Sequence, residues 1–100
     1  MEWIFKSNKE ILIEVGDRIQ NHRLKLNITQ QELSEKTGLS LSLIQRVEKG
    51  ASISLINFVK VLRGMQLLEG LENLIPKEEI SPILLKELKG RERKRASKNK

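Results

Sequence analysis

The sequence predicts an all-α protein that folds as one small domain. Apolar residues recur every three or four positions over most of residues 8–75, the spacing that places them on one face of a helix. Residues suited to capping a helix, mainly Ser and Thr before it and Gly after it, separate these stretches. One hundred residues suffice for a single compact domain. We therefore expect a compact bundle of short helices.

The first helix is predicted over residues 8–26. Its buried face is expected to contain six residues at helical spacing: Ile11, Leu12, Val15, Ile19, His22 and Leu26. A second helix is predicted over residues 30–37. Thr29 can cap it, with Glu32 three residues later as in a capping box, and Gly38 can end it in the left-handed conformation.

Residues 39–43, LSLSL, alternate apolar and polar side chains as a strand would. The flanking caps outweigh this short alternation. Ser40 can cap a third helix over residues 41–49, and Gly50 can close it as Gly38 closes the second. We therefore predict a turn, a cap and a helix in this stretch.

A fourth helix is predicted over residues 54–65, with an inner face formed by Leu55 or Ile56 together with Val59, Leu62 and Met65. A short fifth helix is predicted over 67–74 and ended by Pro76. The order Ser81-Pro82 predicts one more short helix, to about residue 88.

The charge is concentrated in the C-terminal tail. Residues 1–88 hold twelve Lys/Arg and twelve Asp/Glu, whereas residues 89–100 hold seven basic residues and one acid, so the tail carries the whole net charge of +6. Such a tail attracts polyanions, nucleic acid above all, through counterion release. A solvated tail that only aids solubility is the alternative interpretation.

Several function classes find no support in the composition. The chain has no cysteine, no apolar run long enough for a membrane span and no export signal at its start, so we expect a cytoplasmic protein. His22 is the only histidine, and no glycine-rich phosphate loop occurs. We therefore expect no metal, no cofactor and no enzyme activity.

Residues 30–49 satisfy the packing demands of a helix-turn-helix, in which two short helices meet through a tight turn. Leu33 and Ile44 are expected to face each other across the turn, and Ser34 is small where the helices approach most closely. Gly38 makes the turn, and Val47 anchors the third helix to the core. These matched constraints form a stronger signal than any single motif.

The stretch LNITQQELSEKTGLSLSLIQRVEKG resembles the phage-repressor and Cro-type (XRE-like) helix-turn-helix family of bacterial DNA-binding regulators. The Q-x-E-L core, the central glycine and the closing E-x-G carry the resemblance, which extends over roughly residues 10–75. It implies a five-helix lambda-repressor-like domain whose third helix lies in the major groove of DNA. We accordingly divide the chain into an N-terminal arm (1–8), a helix-turn-helix domain (9–76), a short helix or interaction segment (77–89) and a basic tail (90–100).

The resemblance also implies a set of DNA-binding residues: Thr29, Gln30, Gln31, Ser40, Leu41, Ser42, Gln45, Arg46 and Lys49. Gln30 is expected to touch a phosphate, Arg46 can pair with guanine, Gln45 with adenine, and Leu41 can meet a thymine methyl. Ser40 and Ser42 can serve bases or phosphates. For Arg46 the alternative is a solvated surface arginine.

The structural residues implied by the resemblance are Arg23, Leu33, Gly38, Ile44, Val47 and Glu48. Arg23 and Glu48 match a pair that forms a partly buried ion bridge in the family and orients the third helix. Three residues depart from the pattern, and one of them, Leu41, stands where a polar side chain is common. Thr37 replaces a usual aliphatic residue, which is expected to loosen the junction, and Leu43 replaces a usual polar one, so it is expected to pack on another helix or on a dimer partner.

Two functions remain open. The first is a sequence-specific double-stranded-DNA regulator, most simply a repressor, that binds a palindromic operator as a homodimer. Its dimer or partner surface is expected among Leu67, Leu68, Leu71, Leu74, Ile75, Ile83, Leu84, Leu85 and Leu88, with ordinary core as the alternative for residues 67–75. The second is an antitoxin of the HipB type, which would also bind a toxin protein through its C-terminal region.

Overall fold

The computed structural model describes residues 2–78, 83 and 86–90. In that part of the chain every regular element is helical, which confirms the all-α class. Within residues 2–78, five α-helices follow in order: α1 Asn8–Lys25, α2 Gln30–Thr37, α3 Leu41–Glu48, α4 Leu55–Gly64 and α5 Leu71–Leu74. Single 3₁₀ turns span Trp3–Phe5 and Leu68–Gly70, and residues 83 and 86–90 are helical as well. Among the described helices none is long and apolar enough to cross a bilayer.

Local capping explains why the helices begin and end where they do. Thr29 and Glu32 form the predicted capping box of α2, in which each side chain accepts a hydrogen bond from the other's backbone amide, at 3.0 and 3.1 Å. Ser40 caps α3 by accepting from the Leu43 amide. Gly38 has a φ of +74°, in the left-handed region that was predicted for the helix exit. The predicted bounds of α2 are therefore confirmed, and those of α1 and α3 are right to within one residue.

The core lies where α1, α2, α3 and α4 meet. Its buried apolar residues are Ile19, Leu33, Leu39, Ile44, Val47, Val61 and Met65. Helix α2 packs against both α3 and α4, and α1 packs against α3. The burial of Leu33, Ile44 and Val47 confirms their predicted inward positions.

The predicted inner face of α4 is wrong in its first turn. Leu55 and Ile56 are mainly exposed, at 77% and 62% of their surface, whereas Val61 is completely buried beside Met65. The run LINFVKVL has apolar residues on more than one side of the helix, so the spacing alone does not select the face. Leu12 of α1, predicted to be buried, is also exposed at 37%.

The predicted fifth helix differs from the structure. It is divided into the 3₁₀ turn Leu68–Gly70 and the single turn α5, after Gln66 takes a φ of +60°. The segment predicted as an N-terminal arm contains the 3₁₀ turn Trp3–Phe5, and Ser7 forms a capping box with Glu10 at the start of α1.

Several expectations at the C-terminus lie outside the described residues. They concern the helix start at Ser81-Pro82, the apolar residues Leu84 and Leu85, and the tail from residue 91 onward. The helical state of residues 83 and 86–90 agrees with the short helix predicted there, which extends at least to residue 90.

Candidate nucleic-acid interface

Helix α3 has two distinct sides. Ile44, Val47 and Glu48 are buried, whereas the outward arc is polar. At 100° per residue, that arc contains five of the residues predicted to bind DNA: Leu41, Ser42, Gln45, Arg46 and Lys49. All are exposed except Leu41, which is half-buried at the edge of the arc. The structure therefore brings these five side chains together on one open surface.

The turn between α2 and α3 is tightly bonded. The Ser34 hydroxyl donates to the Leu39 carbonyl. The Thr37 hydroxyl donates to the Leu33 carbonyl at 2.8 Å and accepts from the Leu39 amide at 3.2 Å. The expectation that Thr37 loosens this junction is wrong, because its hydroxyl is bonded on both sides of the turn.

Leu43, the second unusual leucine, packs against the core from a half-buried position. This is the first of its two predicted environments, packing on another helix of the same chain. Leu43 therefore stabilises α3 from its inner side and leaves the outward arc to the polar residues.

Two glycines let α1 approach α3 without a gap. A methyl group added to Gly16 would meet the backbone carbonyls of Val47 and Glu48, and one added to Gly50 would lie 2.8 Å from the Ile13 backbone. Gly50 also has a φ of +95°. Sequence reasoning missed the role of Gly16, although an isolated glycine within a helical pattern indicates a close approach of this kind.

A buried ion pair ties α1 to the end of α3. The Arg23 guanidinium donates to the Glu48 carboxylate through Nε at 2.7 Å and through Nη2 at 3.1 Å. Both residues are more than nine-tenths buried. A third nitrogen of Arg23 donates to the Ile28 carbonyl at 2.8 Å, in the loop before α2. The geometry matches the ion bridge that the family resemblance implied.

Gln30 joins the same network. Its side-chain Nε2 donates to Glu48 Oε1 at 3.0 Å, so one carboxylate connects residues of α1, α2 and α3. Sequence reasoning placed Gln30 at a phosphate and did not foresee this bond. A single sequence contains no local signal for a contact between residues eighteen positions apart.

The start of α2 lies beside this network. Thr29 is exposed, and its hydroxyl accepts a hydrogen bond from the Glu32 backbone amide. Gln31 is also exposed, and its side-chain amide donates a hydrogen bond to the Glu35 carboxylate within α2. The first amides of a helix have no partner within it and carry a partial positive charge. Thr29, Gln30 and Gln31 thus surround a helix end suited to an anion, with Ser40 exposed at the start of α3.

His22 has a structural contact away from this surface. Its Nε2 lies 3.1 Å from the Met65 carbonyl oxygen, which links the ends of α1 and α4. The part of the chain that the structure describes contains no group of three or more His, Cys, Asp or Glu residues able to hold a metal ion.

Comparison with known proteins agrees with this geometry. A family model described as helix-turn-helix matches residues 19–68, from the second half of α1 through the turn after α4, which is half of the chain. No match among curated proteins was found. The matched region contains α2, α3 and the buried Arg23–Glu48 pair. The chain belongs to the Cro/C1-type helix-turn-helix family of DNA-binding transcription regulators.

Proposed function

We propose that the protein is a cytoplasmic repressor that binds double-stranded DNA with α3 in the major groove. The observation that carries the proposal is the outward arc of α3, whose polar side chains are exposed while its inner side is fixed by core packing and a buried ion pair. A reading helix must be held rigidly if its side chains are to distinguish bases.

The side chains of the arc suit different bases. Arg46 can donate two hydrogen bonds to guanine O6 and N7, and Gln45 can pair with adenine N6 and N7. Leu41, at the edge of the arc, offers a methyl surface for thymine. Lys49 and the hydroxyls of Ser40 and Ser42 complete the set as contacts to phosphates or bases.

Gln30 and its neighbours suit the DNA backbone. One hydrogen of the Gln30 amide is held by Glu48, and the second is available to a phosphate oxygen beside the free amides of α2. Glu48 belongs to α3 and is bonded to both Arg23 and Gln30. A phosphate bound by Gln30 would therefore fix the position of α3 relative to the DNA backbone. Thr29 and Gln31 would contact the same strand.

The arc of one α3 spans few base pairs, so we propose a homodimer on a palindromic operator with half-sites about one helical turn apart. Pairing of two half-sites raises both affinity and specificity without new contacts in either half.

The direct test replaces Arg46 with Ala. We expect a loss of about 1–3 kcal/mol in binding to an operator selected from random DNA, together with relaxed preference at one base position. Arg63→Ala is the matched control, since Arg63 is an exposed arginine of α4 away from the arc. Full sequence preference in the Arg46 variant would contradict the assignment.

A second experiment concerns the tail. Removal of residues 90–100 should weaken binding to all DNA sequences alike and reduce the dependence of affinity on salt, because the deletion removes six basic residues. Binding is titrated at several salt concentrations. An unchanged salt slope would show that the tail makes no contact with DNA.

An antitoxin of the HipB type is the second candidate. The observation in its favour is that Leu74, Ile75 and Ile83 are mainly exposed, so the C-terminal region offers apolar side chains to a partner protein. Leu67 packs against the core, and Leu68 and Leu71 are half-buried, so the inner part of the 67–75 segment belongs to the domain itself. Co-purification of a protein encoded by an adjacent reading frame would support this candidate, and a gene without such a neighbour would contradict it.

A further inference from the structure

The N-terminal segment displays two large apolar side chains on an ordered backbone. Ile4 and Phe5, which we call the hook, are 87% and 80% exposed. They belong to the 3₁₀ turn Trp3–Phe5, which is held at one end by Trp3 stacked on Arg18, with the guanidinium carbon 4.7 Å from the ring centre. At the other end, Ser7 and Glu10 form the capping box of α1. A fixed pair of exposed apolar side chains is typical of a contact surface.

An apolar groove that no described residue covers lies between α1 and α4. It has a volume of about 330 Å³, and none of its lining residues is charged. Its walls include Leu12, Val15, Ile19, Ile53, Leu55 and Phe58. Pockets that hold small ligands have volumes of roughly 300–1,000 Å³, so this groove suits one or two side chains better than a whole helix.

The hook and the groove lie on neighbouring sides of α1. Trp3 folds back over the edge of α1 that contains Arg18, whereas Leu12 and Ile19 form the groove wall. At 100° per residue, Ile11 lies between these two edges, and Val15 is the groove-wall residue nearest to the Arg18 edge. Surfaces placed this close together can both take part in one two-fold interface.

The hook lies outside the groove of its own chain, since neither Ile4 nor Phe5 belongs to the groove lining. Only Lys6 and Ser7 separate Phe5 from the first residue of α1, and Ser7 is fixed by the capping box. Trp3 is held on the Arg18 edge, and Ile4 and Phe5 point to solvent. The groove of one chain is therefore open to a hook from a second copy.

We propose that two copies of this chain exchange their hooks, so that Ile4 and Phe5 of each copy enter the α1–α4 groove of the other. A large apolar side chain contributes roughly 150–200 Å². The four side chains of two hooks and the two groove walls that they cover then bury on the order of 1,200–1,600 Å² in total, within the range of specific protein interfaces. No charged group is desolvated in the groove, since its lining contains none.

The first test compares two variants by sedimentation equilibrium. The hook variant is Ile4→Ser/Phe5→Ser and the groove variant is Leu55→Glu; all three side chains are mainly exposed, so both variants should fold. We expect each to dissociate at least tenfold more easily than the unmodified chain. Leu24→Ser is the control, because Leu24 is also mainly exposed and lies in neither surface. Circular dichroism and thermal melting verify that each variant is folded.

The second test mixes the two variants. The hook variant keeps an intact groove and the groove variant keeps an intact hook, so a mixed pair has one complete contact, whereas each variant alone has none. Fluorescence transfer between labelled variants should therefore show that the mixture associates more tightly than either variant by itself.

Three outcomes would overturn the proposal: a monomeric unmodified chain at high concentration, a dimer that the hook variant leaves unchanged, or a mixture that associates no better than its components. If only the groove variant dissociated and the hook variant stayed dimeric, a segment other than the hook would occupy the groove. None of these outcomes affects the DNA contacts of α3, which the Arg46 variant tests separately.

Discussion

The two flanks of α1 differ sharply. Toward α3, the Gly16 backbone lies directly against the backbone carbonyls of Val47 and Glu48, and a buried ion pair crosses the junction. Toward α4, the same helix borders an open groove of about 330 Å³. One flank is closed by contacts that leave no room for a methyl group, and the other keeps apolar side chains partly in solvent.

The difference separates two tasks within one helix. The closed flank determines the orientation of α3, and base discrimination needs that orientation to be kept within a fraction of an ångström. The open flank contributes little to that orientation, so it can serve association. Substitutions on the closed flank should therefore reduce stability and DNA binding together, whereas substitutions on the open flank should leave the fold unchanged.

The largest effect is expected from Arg23→Met. This variant leaves the Glu48 carboxylate buried with only the Gln30 amide for a partner. Breaking a buried pair from one side costs about 3–5 kcal/mol of unfolding free energy, because the remaining charge is uncompensated. Urea unfolding measures the loss.

The double variant Arg23→Met/Glu48→Leu is its control. Replacing both charges with apolar residues of similar size is often close to neutral for stability. We expect most of the lost stability to return. DNA affinity should stay reduced, since Gln30 has then lost the carboxylate that holds it. If the double variant were as unstable as the single one, lost packing rather than the unpaired charge would be the cause.

Gly16→Ala should have the next largest effect. The added methyl group meets the backbone carbonyls of Val47 and Glu48, which cannot move aside as a flexible side chain would. We expect a net loss of about 1–3 kcal/mol and weaker DNA binding, because α3 must shift away from α1. Gly70→Ala is the matched control, since Gly70 has a φ of −62° and open space around its Cα. Its stability should be unchanged or slightly raised.

The sequence predicted a region well where the residues that decide its structure are close together in the chain. The ends of α2 and α3 were predictable because the deciding groups, Thr29, Gly38 and Ser40, act within three residues of their own positions. The outward arc of α3 followed once Ile44 and Val47 were assigned to the core.

Other features depend on contacts between distant residues. The buried face of α4 is selected by α2, the role of Gly16 depends on α3, and the bond from Gln30 to Glu48 joins two helices. The open groove was not predictable from the sequence. Leu12 and Leu55 have the spacing of core residues, and only the folded structure shows that they stay exposed.

On the open flank, Leu55→Ser should change the unfolding free energy by less than about 0.5 kcal/mol, as is usual for exposed sites. The measurement is made in the Ile4→Ser/Phe5→Ser background, so that association does not contribute to stability. Leu33→Ala in the same background is the contrast, with an expected loss of about 2–5 kcal/mol from a fully buried position. A loss of several kcal/mol for Leu55→Ser would mean that the groove is closed in solution and that the two flanks are alike.

The smallest effect concerns Glu10, at the start of α1 and remote from both flanks. The pKa of Glu10 is lowered, first by the hydrogen bond from the Ser7 backbone amide, then by one with the Ser7 side chain, and further by the charge of Lys6. Because the folded pKa lies below the unfolded value of about 4.3, the contribution of Glu10 to stability is present above that pH and is lost as the pH falls through the folded pKa. In Glu10→Gln the amide oxygen can still accept from Ser7, so the capping box remains but no longer titrates. The melting temperature of the unmodified chain should therefore exceed that of the variant slightly at pH 7, and the difference should shrink as the pH falls through the folded pKa of Glu10. If the difference in melting temperature stayed constant as the pH is lowered from 7 to 3, the ionised Glu10 carboxylate would not be its source.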